Sequence, residues 1–123
     1  MRFQNLLAYR KSFELAMRIF EISKSFPKEE TYSFSLTNQI RRCSRSVSAN
    51  IAEAYGKRLY QKHFISKLSD CDAENLELQS WLEFSLNCKY LNTKEYEELI
   101  EESHQKGKLI NYMMTNPEKF GSK

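Results

Sequence analysis

Apolar side chains recur at intervals of three and four residues along most of the chain. This spacing places them on one face of an α-helix, which has about 3.6 residues per turn. The pattern is interrupted near Pro27, Gly56 and Asn92, where turn-forming residues replace it. It therefore predicts four amphipathic helices over about residues 4–25, 34–55, 61–90 and 93–115.

Each predicted helix has an apolar seam that needs a partner. The seam of the first helix consists of Leu6, Tyr9, Phe13, Ala16 and Phe20, and Leu7, Leu15 and Ile19 broaden it. The seam of the second helix consists of Leu36, Ile40, Cys43, Val47, Ile51 and Ala54. The near-heptad seam of the third helix is interrupted by Asn75, and Thr93 is the expected N-cap of the fourth helix. Four such helices joined by short links predict an all-α fold, an antiparallel up-down-up-down four-helix bundle.

Composition agrees with one helical domain. The chain of 123 residues has three Gly and two Pro, which is few for a protein built from short strands and turns. A chain of this length can bury one core but is too short for two independent ones. We therefore expect a single four-helix-bundle domain over residues 1–123. Because Tyr and Phe are abundant, we also expect some aromatic side chains to cover subunit contacts.

Charge is distributed unevenly along the chain. The net charge of +3 comes from 19 basic and 16 acidic residues. Residues 38–58 contain five Lys or Arg and one acid, Glu53, whereas residues 70–83 contain five acids and no base. This distribution predicts a positive and a negative side of the bundle. The alternative is that the opposite charges of neighbouring helices only pair with each other and with solvent.

The three cysteines, Cys43, Cys71 and Cys88, are odd in number and widely spaced, so they indicate neither a disulfide framework nor a zinc site. Cys43 and Cys71 fall on apolar seams, where a thiol packs as a small hydrophobic group. No run of about 18 apolar residues could span a bilayer, and the amino terminus does not resemble a signal peptide. We therefore expect a soluble protein of the reducing cytoplasm, with no membrane partner.

Catalytic and metal-binding patterns are sparse. His63 and His104 lie in different predicted helices, and neither has a cysteine or carboxylate pattern typical of a zinc site. Glu101 and His104 match one half of the Glu-x-x-His pattern of di-iron bundles, but the sequence has no second copy. It also has no Gly-rich phosphate loop and no nucleophile motif. We expect no metal, no cofactor and no enzymatic activity.

Several basic residues project away from the apolar seams and could bind nucleic-acid phosphates without reading bases. These candidates are Arg41, Arg42, Arg45, Lys57, Arg58, Arg10, Lys11 and Arg18. Arginine can hold a phosphate with two hydrogen bonds, and Tyr55 and Tyr60 could stack on bases. The small net charge argues against a dedicated nucleic-acid binder, which is usually more basic.

Other polar residues follow one side of the second helix at spacings of three and four, together with Arg42. This polar ladder consists of Gln39, Ser46, Asn50 and Glu53. One interpretation is a ligand-binding or catalytic strip, and the other is a hydrogen-bonded network that fixes helix register or a subunit contact. The same helix has small residues that would let another helix approach closely, namely Ser44, Ser46, Ser48 and Ala49.

One run in the second helix carries a family resemblance. It reads Gln39-Ile40-Arg41-Arg42, then Ser46, then Asn50-Ile51-Ala52-Glu53, then Tyr55-Gly56-Lys57-Arg58. Together with the Phe26-Pro27 connector before it, this run resembles the four-helix-bundle proteins encoded by intervening sequences of bacterial 23S ribosomal RNA genes. The similarity covers nearly the whole chain. Cys43 stands where the family usually has alanine, Ala54 where it usually has glycine, and Lys57 near a customary arginine.

The resemblance implies a small bacterial protein that assembles as a ring of subunits, a pentamer. The chain is also similar to the accessory protein of diversity-generating retroelements, a basic barrel that associates with a reverse transcriptase and nucleic acid. We therefore expect a non-enzymatic homo-oligomer that binds RNA or DNA through a basic surface and acts as an accessory to a reverse transcriptase. The alternative is an oligomeric scaffold that binds other proteins without direct contact to nucleic acid.

Overall fold

A computed structural model describes residues 2–122 of the chain. Its four α-helices are α1 Leu7–Ser23, α2 Leu36–Gly56, α3 Gln61–Asn87 and α4 Thr93–Thr115. Short 3-10 turns cover Phe3–Asn5, Lys28–Glu30 and Pro117–Phe120. No strand occurs among these described residues.

The helices pack in the order of the chain. α1 contacts α2, α2 contacts α3, α3 contacts α4, and α4 closes the bundle against α1. This arrangement confirms the predicted all-α, antiparallel up-down-up-down four-helix bundle.

Helix α1 is shorter than the predicted 4–25, since it runs from Leu7 to Ser23 and a separate 3-10 turn precedes it. Two further helix ends differ from the prediction because of left-handed backbone. Phe34 has a φ of 66°, so α2 begins at Leu36 instead of residue 34. Lys89 has a φ of 65°, so α3 ends at Asn87 instead of residue 90. Residues other than glycine rarely adopt left-handed backbone because their Cβ crowds the neighbouring carbonyl oxygen. A right-handed helix cannot continue through a residue in this conformation.

Helix α4 is capped by Asn92, and the prediction of Thr93 as its cap was wrong. The Asn92 side chain accepts a hydrogen bond from the Glu95 backbone N–H at 2.7 Å. In return, the Asn92 backbone N–H donates to the Glu95 carboxylate at 2.9 Å. This reciprocal capping box satisfies two backbone donors that a helix N-terminus otherwise leaves unpaired.

The core consists of two apolar clusters, one towards each end of the bundle. The first includes Leu6, Val47, Ile51, Phe64, Leu68 and Ile110. The second includes Leu15, Ile19, Ile40, Leu78, Leu82 and Leu99. All six seam residues predicted for α2 are buried, which confirms that part of the prediction. Between the clusters lie two buried polar residues that pack α3 against α4, Asn75 and Ser103.

The apolar stripe predicted for α1 is only partly buried. Phe13 was expected in the core, but its side chain is 49% exposed. Four residues of the predicted stripe are buried, namely Leu6, Leu15, Ala16 and Ile19, and the buried face of α1 also includes Ala8 and Ser12. Small side chains such as Ala8 and Ser12 let a helix lie close to its neighbours, and the aromatic stripe is turned towards the outer side of α1.

Cys43 and Cys71 are fully buried, as predicted. Burial raises the pKa of the Cys43 thiol to about 12 and also raises that of the Cys71 thiol. The Cys71 thiol donates to the Val47 carbonyl oxygen at 3.2 Å, which links α3 to α2. Both thiols are therefore unreactive packing groups at neutral pH.

Candidate nucleic-acid interface

Helices α1 and α2 bring three cations together around one aromatic ring. The Lys24 ammonium lies 4.9 Å from the centroid of the Phe20 ring. The guanidinium carbons of Arg41 and Arg45 lie 4.8 Å and 5.6 Å from the same centroid. The negative face of an aromatic ring attracts such cations and partly offsets their mutual repulsion. We call Phe20, Lys24, Arg41 and Arg45 the Phe20 cluster.

The two arginines of the Phe20 cluster have no carboxylate partner within residues 2–122. The Arg41 Nε donates to the Ser23 hydroxyl at 2.8 Å, which orients its guanidinium group. Arg45 is exposed. Lys24 lies 3.1 Å from the carboxylate of Glu21, one turn earlier on α1. The cluster therefore keeps two guanidinium charges available to an anionic ligand.

Arg42 and Arg18 were predicted to bind nucleic acid, but both contact carboxylates of neighbouring helices. Arg42 lies 3.5 Å from Glu74 and 2.5 Å from Glu77, both on α3. Partial burial lowers the pKa of Arg42, but the two carboxylates outweigh this effect and raise it overall. Arg18 pairs with Glu98 and Glu102 of α4. Both guanidinium groups are therefore partly neutralised within the bundle.

The remaining predicted cations lie elsewhere. Arg58 stacks over the Tyr55 ring at 4.0 Å and donates to the Tyr55 carbonyl oxygen at 2.8 Å. Lys57 is exposed just beyond α2, about 18 Å along the helix axis from Arg45 at 1.5 Å per residue. Arg10 and Lys11 are exposed on α1. The structure thus divides the predicted basic surface into separate groups.

The predicted polar ladder is bonded within the chain. Its members are Gln39, Ser46, Asn50 and Glu53. Lys67 of α3 donates to the Asn50 side-chain oxygen at 3.4 Å and lies 2.8 Å from the Glu53 carboxylate. The hydrogen bond from Lys67 lowers the pKa of Glu53. Asn50 also donates to the Ser46 carbonyl oxygen at 2.9 Å, and Arg42 donates to Gln39 at 3.2 Å. The contacts of Lys67 tie α2 to α3, and the other two lie within α2.

An apolar groove of about 340 Å³ adjoins the Phe20 cluster between α1 and α2. Large side chains of the amino-terminal region line one wall and small side chains of α2 line the other. We call it the α1–α2 groove, and its main lining residues are Phe3, Tyr9, Phe13, Met17, Ala49 and Ala52. Phe13 is 49% exposed and Met17 is 47% exposed. Arg45 also lines the groove, so the cluster and the groove are continuous.

Sequence reasoning missed two members of the Phe20 cluster. Phe20 was assigned to the apolar core, and Lys24 was not considered. The available signal was their spacing of four residues, which places both side chains on one face of α1. Their approach to Arg41 depends on how α1 and α2 pack, and periodicity alone does not give that.

The part of the chain from residue 2 to 122 contains no three His, Cys, Asp or Glu side chains placed to share a metal ion. Glu101 and His104, the one partial di-iron pattern, are both exposed. Over the same residues, no helix has both the length and the apolar character that a bilayer crossing requires.

Comparison with known proteins places the chain in a family. The family model described as 23S rRNA-intervening sequence protein matches residues 4–112. The fold is similar to the crystal structure of a protein of unknown function from the S23 ribosomal protein family of Bacteroides thetaiotaomicron VPI-5482. The two chains are 30% identical with a TM-score of 0.79, and the match covers 89% of this chain and 96% of the other. No curated protein sequence matches. The chain therefore belongs to the 23S rRNA-intervening sequence protein family.

Proposed function

We propose that this protein is a non-enzymatic, oligomeric four-helix bundle that binds the phosphate backbone of RNA or DNA through the Phe20 cluster. The observation that carries this proposal is the convergence of Lys24, Arg41 and Arg45 on one ring. Neither arginine is paired with a carboxylate in the described chain. Guanidinium groups held in this way can each donate two hydrogen bonds to a phosphate.

Assembly would strengthen such binding. A single chain carries a net charge of only +3, so one cluster alone is expected to bind weakly. Several copies on one particle would bind one strand at several points, and linked contacts raise the overall affinity without any new type of contact. A ring of subunits, a pentamer, is the assembly that the family resemblance implies.

The α1–α2 groove is the surface that we propose for contact with a second copy. Exposed Phe13 and Met17 face small residues of α2, so an apolar side chain of another subunit could fill the space between them. Aromatic residues and methionine are typical of subunit interfaces. A partnership with a reverse transcriptase stays a prediction from the resemblance, and a reverse-transcriptase gene beside this one would support it.

The proposed nucleic-acid contact is tested by binding of a structured RNA and a duplex DNA across a salt series. The test variant is Arg41→Ala/Arg45→Ala. The matched control is Arg18→Ala/Arg42→Ala, which also removes two guanidinium charges, but from arginines that pair with carboxylates. We expect affinity to fall steeply with salt, and the test variant to bind at least tenfold more weakly than the control. Equal affinities of the two variants would contradict the proposal.

A protein-binding scaffold is the second candidate, and exposed apolar residues of α3 favour it. Leu76 is 58% exposed and Phe84 is 54% exposed, two turns apart on the outer side of the helix. If this role is the correct one, a partner protein will remain bound after nuclease treatment and will be released by Leu76→Glu/Phe84→Glu. A partner that nuclease removes would instead be held through nucleic acid.

A further inference from the structure

A second cavity, of about 320 Å³, lies on the other side of α1, between α1 and α4. Its size falls within the range typical of small-molecule sites. Apolar and charged side chains both line its wall, and they include Leu7, Leu109, Lys106, Lys108, Glu14 and Glu102. The cavity therefore combines an apolar surface with a charged one.

Lys106 is an unusual residue for this position because its side chain is buried, with 3% exposure. Its ammonium donates to the Glu102 carbonyl oxygen at 3.4 Å, which is a long hydrogen bond. No carboxylate lies within ion-pair distance of it among residues 2–122. Burial lowers the pKa of Lys106 to about 8. A buried charge without a counter-ion is costly, so this ammonium would gain from an anionic ligand.

The two carboxylates in the wall already have other partners. Glu102 pairs with Arg18 at 3.3 Å, and Glu14 lies 3.9 Å from Lys11. Lys106 and the exposed Lys108 are therefore the cations of this wall without an ion-pair partner in the described chain. Glu102 and Glu14 nevertheless act on the Lys106 ammonium from beyond ion-pair distance and favour its charged form. The wall carries an excess of positive charge next to an apolar surface.

We propose that this cavity binds a small organic monocarboxylate with a short apolar chain. Its carboxylate accepts a hydrogen bond from the Lys106 ammonium, and its apolar chain packs against Leu7 and Leu109. Such a ligand supplies the counter-ion that Lys106 lacks and covers apolar surface of the cavity. The site lies on the α4 side of α1, away from the Phe20 cluster, so it is independent of the proposed function.

The test is isothermal titration of the full chain with hexanoate at pH 7, beside two matched probes, 1-hexanol and inorganic phosphate. Hexanol retains the apolar chain without the charge, and phosphate retains the charge without the chain. We expect hexanoate to bind at least tenfold more tightly than either probe. Tight phosphate binding equal to that of hexanoate, or equal binding of hexanol, would overturn the proposal.

Substitutions of lysine residues test whether the ligand carboxylate binds at Lys106. Lys106→Met should weaken hexanoate binding at least tenfold, and Lys106→Arg should keep it within about threefold, since it retains the cation. Lys94→Met serves as the control because it removes a cation from the exposed surface of α4 outside the cavity, and we expect less than a twofold change. A separate readout is the titration of the Lys106 ammonium by NMR with 13C-labelled lysine, where hexanoate should raise its pKa. An unchanged pKa, or undiminished binding by Lys106→Met, would overturn the assignment.

Discussion

Asn75 and Ser103 exchange two hydrogen bonds across the interface of α3 and α4. The Asn75 side-chain amide donates to the Ser103 carbonyl oxygen at 2.9 Å, and the Ser103 hydroxyl donates to the Asn75 side-chain oxygen at 2.9 Å. Both residues are almost fully buried between the two apolar clusters. Sliding one helix past the other would leave these polar groups unpaired, so the pair favours a single alignment of α3 with α4.

Replacing Asn75 with alanine should destabilise the bundle by about 1–3 kcal/mol, because the Ser103 hydroxyl loses its acceptor in a buried site. Chemical denaturation measures this free energy of unfolding. The double variant Asn75→Leu/Ser103→Ala removes both partners and should regain part of the loss. Equal stability of Asn75→Ala and the wild type would contradict the assigned role.

Replacing Lys106 with methionine should stabilise the bundle at pH 7 by about 1–3 kcal/mol, since it removes a buried charge. Burial lowers the native pKa of Lys106 to about 8 from 10.5, although nearby Glu102 and Glu14 oppose this shift and Lys11 adds to it. Between these two pH values the unfolded chain binds more protons than the native one, so wild-type stability rises with pH.

The stability difference between the Lys106→Met variant and the wild type should therefore be largest below about pH 8 and shrink towards pH 10.5. Urea denaturation of both proteins at pH 7, 9 and 10.5 measures it. Comparing the variant with the wild type cancels the titration of other groups. A difference that stays constant over this range would show that the Lys106 ammonium is not destabilised by burial.

Replacing Asn92 with alanine should destabilise α4 by about 1 kcal/mol, because the capping box loses its side-chain acceptor. Thr93→Ala is the matched control. Since Thr93 is the first residue of α4 and makes no capping bond, we expect it to change the unfolding free energy by less than about 0.5 kcal/mol. Thermal unfolding of both variants measures which substitution destabilises the protein more. A larger effect of Thr93→Ala would contradict the assignment of Asn92 as the N-cap.

Replacing Phe13 and Met17 with glutamate should dissociate the proposed assembly, because charge would enter the α1–α2 groove. Both side chains are about half exposed in the single chain, so the fold itself should survive. Light scattering at micromolar concentration measures the change in mass. Leu76→Glu/Phe84→Glu, on the outer side of α3, is the control and should leave the mass unchanged. A wild-type protein that is monomeric would contradict the proposed assembly.

Apolar periodicity predicted the number and order of the helices because each helix keeps one apolar face along its length. The α2 seam shows this well, since Ile40, Val47 and Ile51 are all buried. Periodicity did not decide the rotation of α1, because its predicted stripe spans two adjacent apolar faces. One carries Phe13 and the other carries Leu15, and only the packing of the complete bundle decides which of the two faces the core.

The candidate site was predicted only in part, because ion pairs between helices are not visible in local spacing. Arg41 and Arg45 were predicted and do lie together. Arg42 lies between them in sequence, but its carboxylate partner Glu77 follows 35 residues later. Phe20 was predicted as core because an aromatic residue at seam spacing usually is buried.

Arg45 belongs both to the Phe20 cluster and to the wall of the α1–α2 groove. If both proposed contacts form, one that repositions this guanidinium group at either surface changes the free energy of binding at the other. Thermodynamic linkage then applies. If binding of a subunit in the groove raises the affinity of the Phe20 cluster for a polyanion, the polyanion raises the affinity of the groove for that subunit by the same factor. The coupling energy can therefore be measured in two ways. One is the subunit dissociation constant with and without RNA, and the other is the RNA affinity of the assembled and of the dissociated protein. Both should give the same value.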